Sequence, residues 1–201
     1  VLITTKKGDN NRTSVAIQSV TSVNNVANEM KLMNTQQYVK MRNDAFINDG
    51  LTPTAYDYDV NGTWEDKRDT NWQKKFLGNT AVSQNTQFSL NGGSGKMNYL
   101  FSGSHRKDET VFPGDFGYKR TNFFLVVNQM SKDDRFQFQA TVQNSNQKNN
   151  LMAYDFTNEL YLAPNAPDLY DAVGNLNWEN NTFENPLAKL NAKFKYDSQN
   201  F

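Results

Sequence analysis

Four places in this 201-residue chain carry residue types that could do chemistry. Asp57-x-Asp59-x-Asn61-Gly62 sets oxygen ligands at alternate positions before a glycine, as in the first half of a calcium loop, with Glu65 at the ninth position. The twelfth position needs a bidentate carboxylate and holds Arg68, so Asp57, Asp59 and Asn61 are only a weak calcium candidate, and a plain Asx-type turn is the better reading. Asp108 and Glu109 are adjacent acids. Neighbours in a strand point to opposite faces, which fits solvated charges better than an acid/base pair. His105 is the single histidine, so a His-rich metal site is impossible and any Ser-His-Asp relay would have to run through it. Gly92-Gly93-Ser94-Gly95 joins two strand-like runs and opens no helix, which makes it a poor phosphate cradle. There is no cysteine, which removes thiolate metal sites, disulfides and cysteine nucleophiles. No catalytic set remains, and the expectation is a protein without enzymatic activity, cofactor or resident metal.

A second group could bind rather than react. Trp64, Trp72, Tyr161, Trp178 and Phe183 fall in two long stretches without strand periodicity. Aromatic faces stack on sugars and peptides, and amides such as Asn165 fix orientation. The same residues could instead pack one loop on another. The chain has 29 Asn and 12 Gln, neutral groups that both donate and accept hydrogen bonds. That composition suits neutral polar ligands or a wet interior, and also Asn-rich turns. With 21 basic and 21 acidic residues the formal charge is zero, which argues against nucleic acid as a partner. Leu, Ile, Val and Phe make up 44 of the 201 residues, just above the range that implies disorder.

The elements that must position these residues show mainly a period of two. Phe136, Phe138, Ala140 and Val142 alternate with polar residues, and Met97, Tyr99 and Phe101 alternate with Asn98, Leu100 and Ser102. Thr86, Phe88 and Leu90 form a third run, Thr121, Phe123, Leu125 and Val127 a fourth, and Val15 and Ile17 open a weaker one that continues to about Ala27. Five strands of about ten residues or more are predicted, each with an apolar and an amide-rich face, long enough to cross a bilayer when tilted. The connections alternate in length. Gly92–Gly95 and Ser131–Asp134 are tight, Lys107–Gly117 is intermediate, and about 28–81 and 145–193 are long, so the tight turns share one end of the sheet. Outer-membrane barrels have this pattern, and a soluble sandwich can share it. Asn34 with Gln37 forms a capping box for a helix carrying Tyr38, Met41 and Ala45 on one face. A short helix is expected over Trp72–Leu77, capped by Thr70 and stopped by Gly78. The second long loop reads as irregular, broken by Pro164, Pro167 and Pro186, with a small turn at Asp171–Asn175.

The chain starts in a β-branched run, Val1-Leu2-Ile3-Thr4-Thr5, and ends at Asn200-Phe201 within another alternating stretch. It reads as a fragment, so the absence of a leader says nothing about compartment. No 18-residue apolar run exists to span a membrane as a helix.

Several motifs, in order, resemble those of TonB-dependent outer-membrane transporters, and more narrowly the SusC/RagA family of Bacteroidetes-type nutrient importers. Val1-Leu2-Ile3-Thr4-Thr5-Lys6-Lys7-Gly8 is similar to the segment that closes the plug domain. Thr70-Asn71-Trp72-Gln73 resembles the loop motif before the second strand. Gln87-Phe88-Ser89-Leu90-Asn91-Gly92-Gly93-Ser94-Gly95-Lys96-Met97-Asn98-Tyr99 resembles the family's LSVSGGSEKTNYY hairpin. Tyr118-Lys119-Arg120 resembles the start of the next strand, and Ala163-Pro164-Asn165-Ala166-Pro167 and Asn185-Pro186-Leu187-Ala188 resemble external-loop motifs. The chain departs from the pattern at Asn71, usually Asp, and at Lys107-Asp108-Glu109-Thr110, where the family has a Gln-Glu-Gly, which leaves subfamily and substrate open.

The resemblance implies an all-β fold with short helices in its loops, part of an antiparallel transmembrane β-barrel of about 22 strands around a plug. Residues 1–8 would close the plug and 9–201 would be the N-terminal part of the barrel, with two long extracellular loops. It implies location in the outer membrane and import of oligosaccharide or peptide. The implied partners are a SusD-like surface lipoprotein acting as a lid, TonB through a more N-terminal region, and outer-membrane lipid. Trp64, Trp72, Tyr161, Asn165, Trp178 and Phe183 would then contact substrate or lid. The rival reading is a soluble, secreted β-sandwich module that binds carbohydrate. A hydrolase fragment is disfavoured by the lack of a paired-acid or histidine constellation.

Overall fold

The computed structural model describes residues 12–152 and 155–190, and 196–200 as backbone. The expected end of the plug, residues 1–8, lies outside the described residues. The described chain is mostly one antiparallel sheet with a few short helices. Its strands are β1 (Ser14–Asn24), β2 (Ala81–Ser94), β3 (Met97–Glu109), β4 (Gly117–Met130), β5 (Gln137–Asn150) and β6 (Tyr196–Asn200), paired in sequence order. Tight turns deliver β3 to β2 and β5 to β4, and the longer connections return the chain to the neighbouring strand edge.

Register places the two periodic sets on opposite faces. Val15, Leu90, Phe101, Leu125 and Val142 stand side by side, and the next row holds Ile17, Phe88, Gly103, Phe123 and Asn144. The rings of Phe88, Phe101 and Phe123 form a ladder, with centroids 5.4 and 5.0 Å apart. Tyr99 lies across Gly92, where a Cβ would come within 2.7 Å of its hydroxyl and would push the ring aside. The opposite face carries Gln18, Gln87, Ser104, Asn122, Gln143 and their neighbours.

The two tight turns do lie at one end. Gly95-Lys96 joins β2 to β3, with Gly95 at φ +59° as a two-residue hairpin requires. The turn between β4 and β5 is fastened to it: Met130 N–H donates to the Lys96 carbonyl at 2.9 Å, and Lys96 Nζ meets Asp134 Oδ1 at 2.6 Å. All longer connections leave from the other end.

There they build a cap with its own core. Helix α1 (Thr35–Asn48) starts with both halves of the Asn34/Gln37 capping box formed. Helix α2 (Trp72–Leu77) is capped by Asn71, whose side chain accepts from Lys74 N–H, and not by Thr70 as the sequence suggested. Thr70 N–H is engaged with the Pro164 carbonyl instead. Trp72, Phe76, Phe116, Phe156, Leu160, Leu169, Phe183, Leu187 and Leu190 form the buried cluster. It draws on all three long connections and on no strand residue from β1 to β5. The second loop is more regular than expected. Short 3₁₀ turns cover Thr157–Tyr161 and Glu179–Asn181, and helix α3 runs over Pro186–Leu190. Pro186 starts that helix rather than breaking the chain, and Asn185 Oδ1 accepts from Leu187 N–H.

Two boundaries shift. β1 ends at Asn24, before Ala27. β5 runs to Asn150, well past Ser145, with Asn144–Asn150 paired to Gly117–Phe123 throughout. That segment is polar on both faces, so alternation gives no sign of it.

Candidate functional site

Two surfaces could meet a ligand: the outer part of the cap and the amide-rich face of the sheet. In the cap, proline-fixed backbone and buried rings set the geometry. Trp72 stacks on Phe76 at 5.7 Å and donates its Nε1–H to the Ala163 carbonyl at 2.9 Å. Trp64 meets the edge of Phe183 at 6.2 Å and donates to Thr182 Oγ1 at 3.0 Å. Asn165 is fully enclosed; its side-chain Nδ2 donates to the Asp59 carbonyl at 2.8 Å, and its backbone carbonyl accepts from Arg68 Nη1 at 3.2 Å. Six residues were expected at a contact surface, and the cap sorts them. Trp72, Asn165 and Phe183 are buried and hold one loop on another, so they would support a contact surface from beneath. Trp64 is half-buried in the same packing. Tyr161 and Trp178 face outward, at 53 % and 47 % exposure.

The structure brings the edge of Trp72 and Tyr161 together in a small groove of about 110 Å³, closed by Tyr38 and Pro164. The Tyr161 hydroxyl donates to Met30 Sδ at 2.9 Å. Trp178 stands elsewhere, beside a hairpin bridged by Tyr170 and Leu176. Its turn is fixed by Asp171, whose carboxylate accepts from Val173 and Asn175 N–H groups. Backbone donation from Asn175 is the main cause holding the Asp171 carboxyl below its ordinary range. Sequence reasoning saw the turn but not that it displays Tyr170 and Val173 to solvent. The signal available was position alone, since both residues flank or occupy a tight surface turn.

The candidate calcium loop takes a protein cation instead. Arg42 reaches from α1 to Asp57 Oδ1 at 3.1 Å and Asp59 Oδ2 at 2.8 Å. Tyr38 donates its hydroxyl to the same Asp59 oxygen at 2.8 Å. The second Asp57 oxygen accepts from the Thr54 hydroxyl and N–H, and Asn61 is turned to Thr54 and Thr63. One guanidinium thus bridges both carboxylates, and Asn61 serves the turn, so the alternate oxygens are turned to protein partners. Partial burial, then the bond to Asp59, pushes the Tyr38 hydroxyl up to about 12. The Thr54 hydroxyl is the main cause keeping Asp57 below its ordinary range. Among the described residues no group of three or more His, Asp or Glu side chains is placed to hold a metal.

On the sheet, the amide-rich face is a connected polar surface. Asn122 Nδ2 donates to Ser104 Oγ at 3.0 Å, while its oxygen accepts from Ser145 Oγ at 2.8 Å and Arg120 Nε at 2.9 Å. Asn128 donates to Asn98 at 2.8 Å, and Tyr118 to Gln147 at 2.9 Å. A depression on this face is lined by Gln18, Gln87, Ser102, Ser104, Asn122 and Phe124. His105 lies on the opposite, apolar-banded face and bonds Thr121 Oγ1 at 2.9 Å, with no acid in that contact. Among the described residues nothing covers the apolar band: Ile17 is 73 % exposed, and Phe138 and Val142 are also open.

No family model matches the chain, and no curated protein matches it. No helix among the described residues is long and apolar enough to cross a membrane.

Proposed function

We propose that this chain is part of the wall and external loops of an outer-membrane β-barrel, and that the whole protein actively imports an oligomeric nutrient, glycan or peptide. One observation carries the reading. The large side chains of the cap are packed inside it, while those of the sheet are lined up on a face that no other described residue of the chain covers. A row of Phe, Leu and Val on a wide sheet is stable when hydrocarbon wets it, and the polar face then lines a watery bore. Tight turns at one end and long loops at the other agree with short periplasmic and long external connections.

On this reading the cap is a rigid external platform. Tyr161 and Trp178 are its accessible aromatics for substrate or for a SusD-like lipoprotein lid, and Asn122, Ser104 and Gln143 belong to the path inside. Energy would come from TonB acting through the protein's more N-terminal part. The chain's own residues supply binding and passage and no bond chemistry.

Fractionation of the full-length product tests this. Recovery with outer membranes, and a need for detergent to release it, is the expected result. Recovery in the aqueous phase without detergent would favour the secreted sandwich module.

A further inference from the structure

The lipid-facing reading of the sheet leaves one feature unexplained. Lys107, Lys119 and Lys148 are directly opposite one another on three neighbouring strands. Their Cα atoms are therefore about 5 Å apart, and like charges so placed destabilise a sheet. They share the face of the apolar band, on the cap side of it. Between them and the last aromatic row lies one row of Thr86, His105, Thr121 and Asn146. Lys119 is four residues from Phe123, about 13 Å along the strand. The face thus passes from hydrocarbon-like to hydroxyl and amide to cationic over two successive rows.

Counter-charge from the chain is partial. Lys107 is bound to Glu109 at 2.6 Å, and Glu109 is the one acid on this face of β1 to β5. Asp197 occupies the register position opposite Lys148 on β6. Lys119 and Lys148 are exposed. Directly above, a polar hollow of about 410 Å³ is bordered by Lys107 and Lys119 and by Asp108, Glu109 and Asp115, and the Thr110 hydroxyl is buried there without a partner, so the open side of the row is the one toward the apolar band.

We infer that the Lys107–Lys119–Lys148 row is a binding site for the phosphate-bearing headgroup of an anionic lipid whose acyl chains lie on the Phe88–Phe101–Phe123 band. This rests on the membrane reading of the sheet. The occupant is a lipid rather than free phosphate because cation row and apolar band are contiguous on one face, which complements an anionic amphiphile and not a bare anion. A cationic row near a membrane surface attracts such lipids additively.

The test uses the full-length protein in an uncharged detergent, titrated with dioleoylphosphatidylglycerol or dioleoylphosphatidylcholine and read by native mass spectrometry. Phosphatidylglycerol should bind more tightly. Lys119→Gln and Lys148→Gln should each cut that preference about fivefold. Lys107→Gln should cut it less, since Glu109 already engages that lysine. Lys132→Gln, in a tight turn at the other end, should leave it unchanged, and heat-dependent gel mobility should show every variant folded. Equal binding of the two lipids by a protein that does need detergent would overturn the headgroup site alone. Displacement of phosphatidylglycerol by equimolar inorganic phosphate would overturn it in favour of a free-anion site. A protein that stays soluble without detergent would remove the membrane reading as well.

Discussion

The cap and the sheet are drawn from one composition and solve opposite problems. In the cap, Trp72, Phe76, Phe156 and Phe183 turn inward, and amides such as Asn165 and Asn185 are enclosed and bonded to backbone. In the sheet, Phe88, Phe101 and Phe123 turn outward, and amides gather on the other face. A region with a dry core and a wet shell is built for water on all sides. A region with one bare apolar face and one polar face has no core, and its stability depends on which solvent meets each face.

The contrast can be broken most forcefully inside the cap. Phe76→Ala removes a fully buried ring stacked on Trp72 and set edge-on to Phe156 at 4.9 Å. A loss of about 3–5 kcal/mol is expected for such a site. Hydrogen exchange should show it in the cap amides, with the β2–β5 ladder little changed. On the sheet, Leu125→Arg should cost about 2–4 kcal/mol of folding stability in lipid vesicles, whereas Thr121→Arg, two rows nearer the cap, should cost about 0–1. Similar costs at both positions in denaturant titrations would remove the depth profile from the account.

A smaller effect separates two neighbours. Asn71→Ala should destabilise the cap by about 1 kcal/mol because it deletes the α2 cap, and Thr70→Ala should cost less, since its engaged group is the backbone N–H. Smallest is the response to pH. Asp57, Asp155 and Asp171 are held below their ordinary values in the folded cap. Their contribution is present above the unfolded carboxylate range and is lost as pH falls through the lower folded values. Tyr38 is raised from 10.0 to about 12, so its contribution is present below about pH 10 and fades as pH rises toward 12. Near-ultraviolet circular dichroism of the cap's tryptophans should decline in both windows, while the far-ultraviolet β-sheet signal persists.

How much of this was legible in the residues depended on whether one face differed from the other. β2 to β4 could be placed because Phe88, Phe101 and Phe123 alternate with polar neighbours, and α1 because Asn34 and Gln37 form a local cap. The last third of β5 could not, because Asn144–Asn150 is polar on both sides and only pairing with β4 makes it a strand. For the candidate contacts, residue type was visible and burial was not. Trp72 and Trp178 look alike in the sequence, yet one is sealed by loops far away in the chain and the other stands free of them. The partner of the Asp57 and Asp59 carboxylates was illegible for the same reason, since Arg42 comes from another element.

The solvent on each face can be measured directly. These 201 residues hold no cysteine, so once any cysteine elsewhere in the full-length protein is replaced by serine, Phe101→Cys, Leu125→Cys, Ser104→Cys and Thr141→Cys can each carry a nitroxide. In lipid vesicles, the labels at 101 and 125 should collide with dissolved oxygen and be shielded from a water-soluble nickel chelate, and those at 104 and 141 should do the reverse. Labels at 101 and 125 that are shielded from both reagents would mean that protein, not lipid, covers the apolar face.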